Sequence, residues 1–197
     1  MSFDRHNIKS VTKDLQKFVI NTPVLRFDII DSLCNCNVFF KCENFQHTGS
    51  FKYRAAVNAI KNMPIEFKQT GVITHSSGNF AHALARASYE LKIPCHIIMP
   101  DNTPNFKKSS VLSYTKNIVE CESNLQAREL TTSEILKNKN LYFIHPSNNM
   151  DVILGNSTCA LEFINDYPNL DYVFSPIGGG GLIAGTSIAI NNFSEHC

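Results

Sequence analysis

The sequence predicts an α/β protein with a parallel sheet that is covered by helices on both faces. Three observations support this fold class: short apolar, β-like runs recur along the chain, a helical pattern follows each of them, and short turns separate the two. The 197 residues, 43% of them hydrophobic, are enough to bury a core in one large domain or two small ones. Ligands in such folds bind at the carboxyl ends of the strands, so the turns that lead into helices are the places to look for chemistry.

The first three strand–helix pairs carry the clearest periodicity. A strand at residues 38–43 (VFFKCE) precedes a helix at 51–63, in which apolar residues recur at 56, 59, 60 and 63. A strand at 72–76 (VITHS) precedes a helix at 80–92, where Phe80, Leu84 and Leu91 share one stripe with two alanines. A strand at 94–99 (PCHIIM) precedes a helix that starts near Pro104.

The same alternation continues to the end of the chain. Strands are expected at 117–122, 142–146 and 172–177, and helices at 125–137, 152–167 and 182–193. The last helix is apolar on more than one face, which is typical of a helix that is buried between a sheet and further structure.

Charge and hydropathy argue against several classes of partner. The net charge is +1 and the charges are scattered, so no basic stripe favours nucleic acid and no acidic block indicates a tail. No apolar run is long enough to cross a bilayer. The first ten residues (MSFDRHNIKS) lack the layout of a signal peptide. We therefore expect a cytoplasmic location, with no membrane or nucleic-acid partner.

The seven cysteines do not predict disulfides or a zinc site. Their number is odd, their spacing is irregular, and no C-x-x-C pair occurs. Cys42, Cys95 and Cys159 lie in apolar stretches and are expected to be small buried hydrophobic residues. The seven histidines also lack metal-binding spacing, so no metal ligand is predicted.

Lys52 is the first candidate for chemistry. It follows the loop HTGSF at the first turn of a predicted helix, where the helix dipole favours anions and would lower the pKa of an amine. A neutral amine is what the formation of a Schiff base requires. On spacing alone, a solvated surface lysine is the commoner interpretation.

Two further turns could hold an anion. Small residues in Ser76-Ser77-Gly78-Asn79 leave backbone N–H groups free for a carboxylate or phosphate, although Asn79 could instead be a plain N-cap. Four glycines at 178–181 connect a strand to a helix, where they allow close backbone approach and an anion site at the helix start. A flexible turn is the alternative, but a tight turn needs only one or two glycines.

Two other phosphate motifs fail at this glycine loop. Gly179, Gly181 and Ala184 satisfy G-x-G-x-x-A, but the acidic residue that a dinucleotide fold needs about 20 positions later would lie past the end of the chain. Residues 180–187 read as a P-loop in which Thr186 replaces the lysine, so the phosphate charge would lack its counterion.

Taken in order, the three loops resemble the fold-type II pyridoxal-phosphate enzymes, and within them the serine racemase and threonine dehydratase family. KCENFQHTGSFKYRAAVNAI is similar to the family's Schiff-base segment, THSSGNFAHAL to its substrate-carboxylate loop, and SPIGGGGLIAG to its phosphate cup. The resemblance covers nearly the whole chain, and the ordered set of three motifs is much more specific than any one of them. It implies a tryptophan synthase β-like fold with three-layer parallel sheets.

The resemblance implies pyridoxal 5'-phosphate as cofactor and a role for each motif residue. Lys52 would form the internal aldimine, and Ser76, Ser77 and Arg128 would hold the substrate, although a lone arginine on a helix is more often a surface residue. The residues expected around the cofactor are Phe51 beside the ring, Asn79 at its 3-oxygen, and Gly178, Gly179, Gly180, Gly181 and Leu182 at its phosphate.

Ser77 points to racemisation. Racemisation needs a proton donor on both faces of the planar carbanion at Cα, and Lys52 and Ser77 would serve opposite faces. Threonine dehydratases of the bacterial type usually carry alanine at this position, so the loop resembles that of serine racemase. Dehydration of serine or threonine would compete, because the same carbanion can expel the β-hydroxyl.

Several positions depart from the family's pattern. Phe80 replaces histidine, Ala55 replaces glycine, and Ser147 replaces an asparagine near the cofactor. The resemblance also implies ATP and a divalent metal. In the nucleotide site Thr48 and Tyr114 match the family, but Phe27 and Asp28 replace small hydroxyl residues. The family's metal-binding carboxylates are expected in a part that this chain does not contain.

Residues 1–70 and 147–197 are expected to form parts of the large cofactor-binding domain, and 71–146 the small α/β domain. The C-terminal part of the large domain is expected to be missing. The implied activity is a serine racemase with serine/threonine dehydratase side activity, acting on L-serine or L-threonine, and the resemblance implies a homodimer for a full-length relative. The alternatives are an inactive truncated relative or fragment, and another fold-type II reaction such as that of the cysteine synthases.

Overall fold

The computed structural model describes residues 4–197. Residues 1–3 lie outside the described residues. They belong to the predicted large-domain segment and to the N-terminal stretch MSFDRHNIKS. The helices are α1 (Arg5–Leu15), α2 (Asp28–Cys34), α3 (Lys52–Asn62), α4 (Asn79–Glu90), α5 (Asn105–Leu112), α6 (Leu125–Asn138), α7 (Met150–Asp166) and α8 (Gly181–Phe193). The strands are β1 (Val24–Arg26), β2 (Phe39–Lys41), β3 (Val72–His75), β4 (Cys95–Pro100), β5 (Ile118–Cys121) and β6 (Tyr142–Phe143).

The main sheet is parallel and is covered on both faces. Its four strands lie in the order β5-β4-β3-β6, and Val72 of β3 pairs with Cys95 on one side and Tyr142 on the other. Successive strand residues face opposite sides, so Val72 packs into the core with α3 and α4, while Ile73 and Ile98 pack against α6. The predicted three-layer α/β architecture is confirmed for this sheet.

The first forty residues contain elements that the sequence did not predict. β1 was not predicted, because its three residues are too short to give a period-two signal. β2 lies within the strand predicted at 38–43, but it pairs with β1 in a separate antiparallel pair, with Leu25 opposite Phe40, so not all of the pairing is parallel. α1 was missed although Ile8, Val11 and Leu15 recur at the i, i+3 and i+7 spacing of a helical stripe that packs on the core.

The predicted strand at 172–177 is wrong. Residues 171–178 form no backbone ladder with any described residue, and no strand lies beside them. A strand needs a neighbour for its N–H and C=O groups, and a cavity of about 780 Å³ separates this segment from β2. Tyr172, Phe174 and Ile177 are consequently 79%, 93% and 75% exposed.

Small residues allow α3, α7 and α8 to pack closely. A Cβ atom at Gly155 of α7 would lie 2.7 Å from the Cα of Ala55 on α3. A Cβ atom at Gly185 of α8 would lie 2.7 Å from the carbonyl oxygen of Ile153 on α7. A side chain at either glycine would force the helices apart. The two glycines therefore allow α3 and α8 to pack directly on α7.

A buried ion-pair network also fixes α3. The guanidinium of Arg54 is fully buried and donates two hydrogen bonds to each of Glu43 and Glu162, at 2.7–2.9 Å. Lys41 makes a further ion pair with Glu162 at 2.8 Å. Two cations and two carboxylates therefore balance, as burial of such groups requires. The network locks the helix whose first residue is Lys52.

The cysteines, the possible metal ligands and the apolar helices were also the subject of predictions from composition. All seven cysteines are free thiols, with Cys95 buried and Cys42 and Cys159 partly buried. Residues 4–197 contain no cluster of three metal-ligating side chains. No helix in this range combines the length and the apolar character that a bilayer crossing needs.

Candidate active site

Lys52 is partly buried and held in a defined place. Its Nζ atom donates a hydrogen bond to the carbonyl oxygen of Pro146 at 2.8 Å, and it lies 5.1 Å from the ring centroid of Phe51 and 5.6 Å from that of Phe80. These ring distances are within the range of cation–π contacts. Burial lowers the pKa of the Lys52 amine below its usual value. Lys52 is therefore not a solvated surface lysine, and burial is what favours its neutral form.

The turn after β6 contacts both Lys52 and the glycine loop. Its residue Pro146 accepts the hydrogen bond from Lys52, and the next residue, Ser147, packs against Gly179. A Cβ atom at Gly179 would lie 2.4 Å from the Oγ of Ser147, so only glycine fits there without a shift. One short turn thus joins the predicted amine site to the predicted phosphate site.

The glycine loop ends at the start of α8. Gly180 caps the helix with a φ of +85°, a conformation that favours glycine, and Gly181 is its first residue. No atom lies within 4 Å of the position that a Cβ would take at Gly178 or Gly180, so the loop borders open space. Leu182 lines the same 780 Å³ cavity as Phe51.

Asn156 adds an unsatisfied amide beneath this loop. Its side chain is fully buried, and neither Nδ2 nor Oδ1 has a hydrogen-bond partner among the described residues. Nδ2 lies 3.3 Å from the Cβ position of Gly181. A buried amide without partners costs free energy, and its donor and acceptor can be satisfied by a bound group or water. The helix start, the open glycines and this amide together fit a phosphorylated ligand.

The second predicted loop lies next to Lys52 through Phe80. Ser76 and Ser77 are partly buried between β3 and α4, and the N–H of Gly78 donates to the Oγ of Ser76 at 3.4 Å. Asn79 is the first residue of α4 and is exposed, while Gly78 takes the N-cap position. Asn79 is therefore not a plain N-cap, and its amide is available to a ligand.

Arg128 lies on a different element from the other predicted site residues. It is on α6, and its Nε donates to the carbonyl oxygen of Asn124 at 3.3 Å within the same helix. Its charge helps to lower the pKa of His75, after burial and His145. The structure brings Lys52, Phe51, Leu182 and the glycine loop together, while Arg128 lies on α6 and its charge reaches His75 at the end of β3.

The comparisons with known proteins agree with this geometry. The family model described as "Pyridoxal-phosphate dependent enzyme" matches residues 15–196, which is nearly the whole chain. The chain belongs to the family of pyridoxal-phosphate dependent enzymes. The resemblance that the three loops indicated is confirmed, and so is the α/β fold of the fold-type II members.

Relatives within this family carry racemase and dehydratase names. The serine racemase of Dictyostelium discoideum is 38% identical over 96% of this chain, and the "beta-hydroxyaspartate dehydratase" of Paracoccus denitrificans is 39% identical over 92%. The crystal structure of the Dictyostelium serine racemase matches with a TM-score of 0.90, at 38% identity and over 96% of this chain. The chain spans 59% and 58% of the two relatives' lengths and 62% of the crystallised chain.

The sequence analysis assigned no role in the site to Pro146, His145 or Asn156. Periodicity assigned residues 142–146 to a strand. β6 ends at Phe143 because the next residues turn back to bind Lys52 and the glycine loop. The signal that could have found them is a histidine followed by proline at the end of a strand, where a turn is expected.

Proposed function

We propose that this chain is the cofactor-binding part of a pyridoxal-phosphate dependent serine racemase that also dehydrates L-serine or L-threonine. The observation that carries the proposal is the position of Lys52. The Lys52 amine has a lowered pKa and donates a hydrogen bond to the Pro146 carbonyl oxygen at 2.8 Å. The next residue of the same turn, Ser147, contacts the glycine loop, which fits a phosphate group. An amine poised to be neutral next to an anion site is what attachment of a phosphorylated aldehyde needs.

The residues around Lys52 would hold the cofactor by different means. Lys52 would attach to it, Phe51 would pack against its ring, and the exposed amide of Asn79 would bind its 3-oxygen. Its phosphate would be bound by the backbone N–H groups of Gly178, Gly179, Gly180, Gly181 and Leu182, at the positive end of α8.

When bound, pyridoxal phosphate acts as an electron sink that makes the α-proton of an amino acid acidic. We propose that the Nζ of Lys52 and the Oγ of Ser77 hold and move this proton on opposite faces of Cα. Ser76 and Ser77 would bind the substrate carboxylate through their loop, and Arg128 would add positive charge. Both reaction types occur among the names of the relatives, a serine racemase and a dehydratase.

The same proposal divides the chain into two parts. Residues 71–146 would form the small domain, since the four-stranded sheet lies entirely within them. Residues 1–70 and 147–197 would belong to the large domain, in which α3, α7 and α8 pack on one another. A full-length protein of this kind would be a homodimer.

Absorbance of the purified chain with pyridoxal phosphate tests the proposal. A band in the near-visible should appear with the wild-type chain and be lost in Lys52→Ala. Lys61→Ala is the matched control, because Lys61 is an exposed lysine on the same helix, and it should keep the band.

Absence of the band in the wild type, or its survival in Lys52→Ala, would show that the assignment is wrong and favour an inactive relative. A band without formation of D-serine or of a keto acid from L-serine would favour a different reaction, such as that of the cysteine synthases.

A further inference from the structure

His145 has an unusual hydrogen-bond role in the turn after β6. Its Nδ1 atom accepts the backbone N–H groups of both Ser147 and Asn148, at 3.1 and 2.8 Å. The side chain thus satisfies two backbone donors two and three residues ahead, as the oxygen of an Asx turn does. The imidazole, rather than a regular backbone pattern, defines the shape of this turn.

The ring of His145 is itself held by the small sheet. Its centroid lies 5.5 Å from that of His75, with the ring planes at 88°, and 6.1 Å from that of Phe143. His75 is only 6% exposed on β3. Burial lowers the pKa of His145, and the nearby charge of Lys52 lowers it further while Glu129 raises it. A neutral ring with its proton on Nε2 leaves Nδ1 free to accept both hydrogen bonds, as the two contacts require.

The two residues that follow His145 are those that organise the site. The carbonyl of Pro146 holds Lys52, and Ser147 backs Gly179 of the glycine loop. We propose that His145 is a positioning residue that sets the Lys52 amine and the glycine loop relative to each other by fixing this turn. The inference rests on the proposed function, since it concerns how the same site binds pyridoxal phosphate.

Two matched substitutions separate this role from a general structural one. In His145→Asn the amide oxygen lies where Nδ1 was and can accept the same N–H groups, as in an Asx turn. In His145→Gln the oxygen lies one bond further out, near the former Nε2, and cannot. Both variants remove the ring and with it the contacts with the rings of His75 and Phe143. His96→Gln, a partly buried histidine on β4, reports the general effect of replacing a histidine by glutamine.

The experiment titrates each full chain with pyridoxal phosphate and follows the near-visible band, below each variant's unfolding temperature measured without ligand. We expect His145→Asn and His96→Gln to bind pyridoxal phosphate like the wild type and His145→Gln to bind it roughly tenfold more weakly, since two hydrogen bonds are lost.

Equal binding by His145→Asn and His145→Gln, strong or weak, would overturn the inference, as would weaker binding by His145→Asn than by His145→Gln. A His145→Gln chain that does not fold while His145→Asn folds would make His145 a folding residue and overturn it too. If the wild type gives no band, the proposed function itself has failed.

Discussion

The Nζ atom of Lys52 lies 2.8 Å from the carbonyl oxygen of Pro146, a residue 94 positions later in the chain. This hydrogen bond connects the first residue of α3 with the turn that leads to α7. The amine also lies 5.1 Å from the ring centroid of Phe51 and 5.6 Å from that of Phe80. The contact explains why a charged side chain remains partly buried where burial opposes its charge.

We predict that this burial costs stability at neutral pH. Burial lowers the pKa of folded Lys52 below its usual 10.5. Between the lowered pKa and 10.5 the unfolded chain holds the proton and the folded chain does not, so stability rises with pH across this window. Below the window the cost is present in full. Lys52→Met should therefore raise the unfolding temperature at pH 7, and the gain should shrink as pH rises towards 10.5. Thermal unfolding across this range measures it, with exposed Lys61→Met as control; a destabilised Lys52→Met at pH 7 would refute the prediction.

We predict that Gly179 and its neighbour Gly178 respond differently to alanine. The Cβ of Gly179→Ala would meet Ser147 Oγ at 2.4 Å and Ser147 Cβ at 2.8 Å, whereas that of Gly178→Ala would meet nothing within 4 Å. Overpacking of this kind costs about 1–3 kcal/mol. Since Ser147 is buried, the exposed loop should move and pyridoxal phosphate should bind roughly tenfold more weakly, because about 1.4 kcal/mol is tenfold in affinity.

Thermal unfolding of the ligand-free chain should change little in Gly179→Ala and in Gly178→Ala. Ser147→Gly removes both clashing atoms, so the double variant Gly179→Ala with Ser147→Gly should regain affinity. A double variant that binds no better than Gly179→Ala alone would show that the contact with Ser147 is not the cause.

Ser77→Ala should separate the two proposed reactions. If its hydroxyl serves the face opposite Lys52, D-serine formation should fall by about 10²–10⁴-fold, the usual contribution of a general acid or base, while dehydration largely survives. Chiral chromatography of serine and a keto-acid assay measure the two activities. Ser76→Ala, in the same loop, is the matched control and should keep their ratio. Equal loss of both activities in Ser77→Ala would instead indicate a role in positioning the substrate.

The exposed segment 171–178 should make the isolated chain associate. Phe174 is 93% exposed beside a cavity lined by apolar side chains, and the backbone around it has no partner among residues 4–197. Such segments pair with other chains. Phe174→Ser should therefore lower the fraction of oligomer in sedimentation velocity. Phe106→Ser, which alters a phenylalanine that is 69% exposed on α5, should not. A wild-type chain that sediments as a monomer would contradict this prediction.

Local patterns predicted much of the fold but not its pairings. Helices α3, α4, α6, α7 and α8 and strands β3, β4 and β5 lie within a few residues of their predicted bounds, because each has its own periodicity. The segment at 172–177 has the composition of a strand, but a strand also needs a neighbour, which its own residues cannot specify. β1 and α2 were too short to give a pattern at all.

The glycine loop carries a local signal in its residue types and spacing. Lys52 does not: spacing alone favoured a surface lysine, and its role was predicted only through the resemblance of the three ordered motifs. The partners Pro146, His145 and Asn156 were missed because they act through contacts between segments distant in sequence. Burial by the surrounding residues lowers the pKa of Lys52, and this cause depends on tertiary contacts that the sequence around Lys52 does not show.

Lys52 is the residue that we propose to bind pyridoxal phosphate. The most direct measurement is borohydride reduction of the complex of the wild-type chain with pyridoxal phosphate, followed by protease digestion and mass spectrometry of the lysine-containing peptides. We predict one modified peptide, the one that contains Lys52, at an occupancy that saturates with the cofactor. Modification spread over exposed lysines such as Lys61 and Lys107, or concentrated on a lysine other than Lys52, would contradict the account.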